Sequence, residues 1–166
     1  MLDPQHLVEL AQTLVNARQA GAPRQANLRR AVSTAYYAIF HALCGAMADM
    51  FVPANASETR ALFYRALDHG NSKKRCEDLG KNPLAAKQSR FFKIAAFGQD
   101  LRDFANDFVR LQELRHLCDY DPDYKLTKAQ AQEYVDAAGD AIAKLGTAND
   151  TEKSKFLAYI LFSIRS

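Results

Sequence analysis

The chain has 166 residues, 48% hydrophobic and 25% charged, with a formal net charge of +3 and a pI near 8.8. These values fit one soluble globular domain whose core needs no covalent staples, and the mild positive charge permits nucleic acid without indicating it. Cys44, Cys76 and Cys118 are odd in number and include no CxxC pair, which argues against a disulfide framework or a zinc site and for reduced thiols in a cytoplasmic protein.

The N-terminus MLDPQHLVEL carries an acid and no basic run, so no signal peptide is expected. No run approaches the ~20 apolar residues of a membrane span. Asp3 and Pro4 open a first helix as N-cap and first helical residue. Its apolar face is Leu7, Leu10, Ala11, Leu14 and Val15, and Gly21 with Pro23 ends it.

A second helix runs from about Pro23 to Met50. It carries one stripe of Leu28, Val32, Ala35, Tyr36, Ile39 and Leu43, and another of Phe40, Cys44 and Met47. A helix apolar on so much of its surface is a central one. Between the stripes runs a polar line of Arg30, Thr34, Tyr37 and His41. Either Tyr37 and His41 satisfy each other or a backbone carbonyl, or the line faces a phosphate-binding groove. In the second case His41 supplies an acid or base that titrates near neutrality.

After Pro53, Asn55 and Ser57 are both good caps for a short third helix with Leu62, Phe63, Ala66 and Leu67, ended by Gly70. Residues 69–88 read as a loop, rich in charge and broken by Gly and Pro. Lys73, Lys74 and Arg75 head a basic cluster there that continues through Lys81, Lys87, Arg90 and Lys93. It is either a solvated surface or a guide for nucleic-acid backbone.

A long fourth helix is expected from about Ser89 to Leu117, with Gly98 at a kink or a close crossing. Phe97, Leu101, Phe104, Phe108 and Leu111 recur at spacings of four and three, one inward face. The next position on that face is Arg115, followed by Cys118. An arginine on an inward stripe must reach an acceptor or solvent. Asp119, Asp121 and Asp123 are at hand, beside Tyr120 and Tyr124, and Pro122 stops the helix. A salt bridge from Arg115 to one of these aspartates is the plainest outcome.

Thr127 and Gln130 form a capping box for a fifth helix with Ala131, Tyr134, Val135, Ala138, Ala141, Ile142 and Leu145, ended by Gly146. A C-terminal helix over about 151–165 presents Phe156, Leu157, Ile160, Leu161 and Ile164, with Tyr159 and Phe162 on its other face. It either docks on its own bundle or meets a partner. The fold expected is all-α: an antiparallel up-and-down bundle of four or five helices with an added C-terminal helix. It forms one domain over 1–166, its core at about 4–146.

RHLCDYDP after a long helix and RRAVSTAYYAIFHAL on an earlier one resemble the HEPN domain over roughly Leu28 to Leu145. HEPN domains are small helical bundles, often dimeric. Many are metal-independent ribonucleases of toxin–antitoxin and defence systems, and others are non-catalytic binders of nucleic acid or nucleotides. Catalytic members carry an arginine, usually a polar residue next, and a histidine four to six residues after the arginine. With Arg115 as that arginine, His116 is its polar neighbour and Tyr120 stands at the histidine position. With Arg110 instead, His116 falls six residues on, about 240° around a helix, so the first alignment is preferred. The resemblance implies a site of Arg115, His116, Tyr120 and Asp121, with Asp119 beside them and Arg30, Tyr37 and His41 opposite. It implies a homodimer, RNA or nucleotide as ligand, and an antitoxin partner; no cofactor or membrane is expected. The acidic run alternates like an EF-hand start but lacks the Gly and the final Glu, so no metal site is expected. No Gly-rich phosphate loop, HExxH or GxSxG is present.

Overall fold

In the computed structural model, residues 2–17, 21 and 24–162 are described. Pro23, Ile164 and Arg165 lie outside them. The described residues form eight helices and no strand: α1 Pro4–Val15, α2 Gln25–Phe51, α3 Ser57–Arg65, α4 His69–Leu79, α5 Ala86–Phe92, α6 Gln99–Tyr120, α7 Lys128–Thr147 and α8 Asp150–Leu161.

Four of them make an up-and-down bundle. Arg29 at the start of α2 reaches Cys118 and Asp121 at the end of α6, so these two run antiparallel. Arg110 meets Glu133 and Lys144 meets Asp103, which sets α6 antiparallel to α7. Gln12 pairs with Gln132, and a Cβ at Gly139 would touch Val8, so α1 runs against α7. The centre is α2, with Leu28, Val32, Ala35, Tyr36, Ile39, Leu43 and Met47 all buried. By length and composition α2 could cross a membrane, and 67% of its apolar window is buried inside the bundle, as befits a core helix. That corrects the reading that no segment is long and apolar enough. The small Ala131, Ala138 and Ala141 of α7 are fully buried and let that helix approach closely.

Caps explain several ends. Asp3 accepts from the Gln5 N–H, and Thr127 and Gln130 close the expected capping box. Neither Asn55 nor Ser57 caps α3; Ala56 holds that position without a side-chain bond. The α3 face is also more open than expected, with Leu62 70% exposed. α3 ends at Arg65 rather than Gly70, and α7 continues past Gly146 to Thr147.

Two larger corrections concern residues 69–98. The segment expected to be a loop contains α4 and the start of α5. Asp68 caps α4 by accepting from Asn71 N–H, and Ser72, Cys76 and Leu79 form its buried line. The helix expected from Ser89 to Leu117 is two helices. α5 stops at Lys93, which takes the left-handed conformation (φ 57°, ψ 39°). The chain turns back so that Ser89 Oγ donates to the Ile94 carbonyl and Leu84 N–H to the Ala95 carbonyl. Gly98 N-caps α6 and donates its N–H to Glu152 of α8; a Cβ there would lie 2.9 Å from that carboxylate. The break has a packing cause. Phe92 and Phe97 meet edge-on at 5.2 Å, whereas five residues on one helix stand about 140° apart.

α8 docks on its own bundle, burying Phe156, Leu157, Tyr159 and Ile160. Phe156 packs edge-on against Phe97 and Phe104. All three thiols are buried, and burial pushes Cys44 up to about 12 and Cys118 to about 11.

Candidate functional site

The inward stripe continues on α6: Leu101, Phe104, Phe108 and Leu111 are buried, as are Phe97 just before the helix and Cys118 near its end. Arg115, between them, is half-buried. Its Nη2 donates to the Tyr37 hydroxyl at 2.9 Å. Its Nε lies 2.9 Å from Asp119 Oδ2, the expected ion pair. That N–H is nevertheless misaligned, leaving Nε buried without a hydrogen bond. The guanidinium lies between two rings, 5.6 Å from the centroids of Tyr37 and Tyr120. Burial works against its charge, but the Tyr37 hydroxyl and the Asp119 carboxylate outweigh it, and its pKa rises. Nη1 has no partner among the described residues and is not sealed from solvent.

The segment after Arg115 is tied to α2. Asp119 Oδ1 accepts from Ser33 Oγ at 2.6 Å, so its carboxylate is held on both oxygens. Arg29 donates to the carbonyls of Cys118 and Asp121, both at 2.7 Å. A cation on the last carbonyls of a helix is favourable there. Asp121 turns to its own loop and accepts from Asp123 N–H, away from the guanidinium. Arg29 belongs to the RR pair at the start of α2, where the sequence drew attention to Arg30. Arg30 itself is exposed, with no side-chain partner among the described residues, and Thr34 bonds back to the Arg30 carbonyl.

A cleft of about 400 Å³ opens beside Arg115, lined by Lys73, Gln112, Glu113, His116 and Leu117. His116 is exposed and lies against Tyr120, ring centroids 4.9 Å apart; Tyr120 is 64% exposed. Of the basic trio on α4, Lys73 faces this cleft but is paired with Glu113 at 2.9 Å and Glu77 at 3.4 Å. Lys74 is exposed. Arg75 stacks on the Tyr159 ring at 4.9 Å, so it joins α4 to α8 rather than standing free for phosphate.

His41 is not in this cleft. Its Nδ1 pairs with the Tyr64 hydroxyl, and burial lowers its pKa. It lines a larger cavity, about 680 Å³, with Met50, Tyr64, Ile142, Leu145 and Lys153. Thus Tyr37 alone of the polar line on α2 meets Arg115, and Tyr37 and His41 do not satisfy each other.

The residue that sequence reasoning missed is His69. It begins α4, and its Nδ1 lies 2.6 Å from the hydroxyl of Tyr36. Its ring packs 4.0 Å from Phe40 and edge-on to Tyr37 at 6.1 Å. Its carbonyl accepts from Gln112 of the cleft. Burial lowers its pKa, and the charge of Arg115 lowers it further. The available signal was Asp68 as an N-cap, which would have made His69 a helix residue on a helix facing α6.

Among the described residues no cluster of histidine, cysteine or carboxylate side chains could hold a metal ion. Comparison of the chain with family models, with curated proteins and with solved structures found no match.

Proposed function

We propose that the chain is a HEPN-like protein that binds RNA through Arg115 and cleaves it without a metal ion, as a homodimeric ribonuclease of a toxin–antitoxin or defence system. The observation that carries this reading is the state of Arg115. It sits where an apolar residue belongs, is held by Tyr37 and Asp119 and keeps Nη1 open beside a cleft. A preorganised guanidinium of this kind suits the charge that develops on a phosphoryl group as its diester is attacked. Lys73 and His116 line the same cleft, Lys73 already paired with Glu113 and Glu77.

A second reading has its own support. Asp119 already neutralises Arg115 in part, and Tyr120 stands where the resemblance implies a histidine. On that reading the bundle is a catalytically degenerate module that binds nucleotide, RNA or a protein partner. RNA cleavage by the purified protein in EDTA separates the two. Cleavage is expected, and Arg115→Ala is expected to lower it ~10²-fold or more, with the melting temperature little changed. Intact RNA in every reaction, or a large fall in melting temperature as the main effect of Arg115→Ala, favours the module.

A further inference from the structure

We propose that His69 is the acid–base residue of the Arg115 site, its Nε2 taking the proton from the RNA hydroxyl that attacks the phosphate. The inference rests on the ribonuclease reading above. It also answers the difficulty that α6 brings a phenol, Tyr120, to the position where an imidazole is implied.

The structure holds His69 as a working imidazole is held. Its backbone is clamped by Gln112 on its carbonyl at 2.9 Å and by the Asp68 cap of α4. Its ring is pinned by Tyr36 on Nδ1 and by the faces of Phe40 and Tyr37. Nε2 is left as the one nitrogen without a partner among the described residues, and it is not sealed from solvent. Tyr36 is fully buried, and burial drives its pKa far up, so its hydroxyl keeps its proton. A hydroxyl donates or accepts. It therefore accepts from Nδ1–H while Nε2 is a base, and donates to Nδ1 in the other neutral tautomer.

The groups around His69 set its charge state. Arg115 on α6 and His41 on α2 disfavour the imidazolium, while Asp68 beside it favours it. Tyr36 and Tyr37 on α2 and Gln112 on α6 are its uncharged polar neighbours. With burial added, the balance keeps the ring neutral near pH 7, the form that accepts a proton. Tyr37 joins the two halves of the site, its hydroxyl on Arg115 and its ring on His69.

The step balances without a metal or an oxidant. Nε2 takes the 2′-hydroxyl proton as the 2′-oxygen bonds to the adjacent phosphorus, and Arg115 carries the charge on the phosphoryl oxygens. The bond from phosphorus to the 5′-oxygen breaks, and that oxygen takes a proton from water. The imidazolium returns its proton to the hydroxide so formed. The products are a 2′,3′-cyclic phosphate end and a 5′-hydroxyl end.

The test compares wild type, His69→Gln and Arg115→Ala as full chains in EDTA on a mixed-sequence single-stranded RNA, scoring rate, RNA affinity and the pH profile. His69→Gln is expected to lose ~10²–10⁴-fold in rate while its RNA affinity stays within about threefold of wild type. The wild-type rate is expected to rise with pH through an inflection below the 6.5 of free imidazole, and the variant to lose that inflection. Wild-type rate and profile in His69→Gln, with activity lost in Arg115→Ala, overturn the role of His69 and leave the ribonuclease reading standing. An inert wild-type protein overturns both. If His69→Gln does not fold, the wild-type profile decides: a flat rate between pH 5 and 7.5 overturns the inference.

Discussion

Arg115 takes its position from a helix repeat that ignores its charge. The stripe from Leu101 to Cys118 fixes which way the residue faces, and Tyr37 and Asp119 make that direction tolerable for a cation. This much was legible in the sequence, because the stripe is local and the aspartates follow within a turn. His69 was not, because its partners Tyr36 and Gln112 lie 33 and 43 positions away. Nothing near it in the chain marks a histidine for partial burial. The two half-buried imidazoles carry a consequence for stability. His41 and His69 both have pKa values below the ordinary 6.5, so the unfolded chain binds more protons than the folded one as pH falls past that value. Their contribution to stability is complete above pH 6.5 and lost progressively below it. The carboxyls of Asp68 and Asp103, lowered by hydrogen bonds from Asn71 and Lys144, add their own loss only near and below pH 4. Asp107, raised by burial, opposes the trend just above that. Urea melts at pH 7 and pH 5.5 are expected to show lower stability at 5.5. The difference should shrink when His41 and His69 are both replaced by Gln.

At the scale of elements, the sequence marked the long helices and their caps and missed the short ones. α4 buries only Ser72, Cys76 and Leu79, and its spacing of four and three is hidden by a serine and by charges on the other faces. The break between α5 and α6 was invisible because Phe91 to Phe108 offers enough apolar residues to fill one continuous helix. The turn brings Phe92 onto Phe97, which one continuous helix would hold apart. Lys93 carries the cost of that turn, since a left-handed residue with a Cβ is strained by about 1–2 kcal/mol. Glycine relieves the strain but loses about 0.5–1 kcal/mol to chain entropy. Lys93→Gly is therefore expected to gain about 0.5 kcal/mol, or ~1–2 °C in melting temperature for a chain of this size. Lys93→Val should lose about 1 kcal/mol or more, being β-branched in the same conformation. Paired thermal melts check both signs.

In the whole molecule, the four-helix bundle carries the core, and α4, α5 and α8 close one flank of it. A polar strut joins them. Gln88 donates to the Tyr159 hydroxyl at 2.9 Å, and that hydroxyl donates to Asp78 at 3.0 Å, under the guanidinium of Arg75. The strut ties α4, the helix that His69 begins, to α5 and α8. An all-α bundle with its C-terminal helix was readable from the amphipathic repeats; the flank was not, because it depends on contacts across 71 and 81 positions. The buried thiols turn this layout into a set of internal clocks. Cys44 lies fully buried in the last third of α2, Cys76 in the flank helix α4 and Cys118 near the end of α6. Alkylation needs an exposed thiolate, so each sulfur counts openings of its own neighbourhood. Timed iodoacetamide pulses read by mass spectrometry are expected to label Cys118 first, through fraying at the α6 terminus. Cys76 should follow as the flank detaches, and Cys44 only when the whole bundle comes apart. An order with Cys76 far ahead of Cys44 would mean that the wall holding His69 swings away while the rest of the protein stays folded.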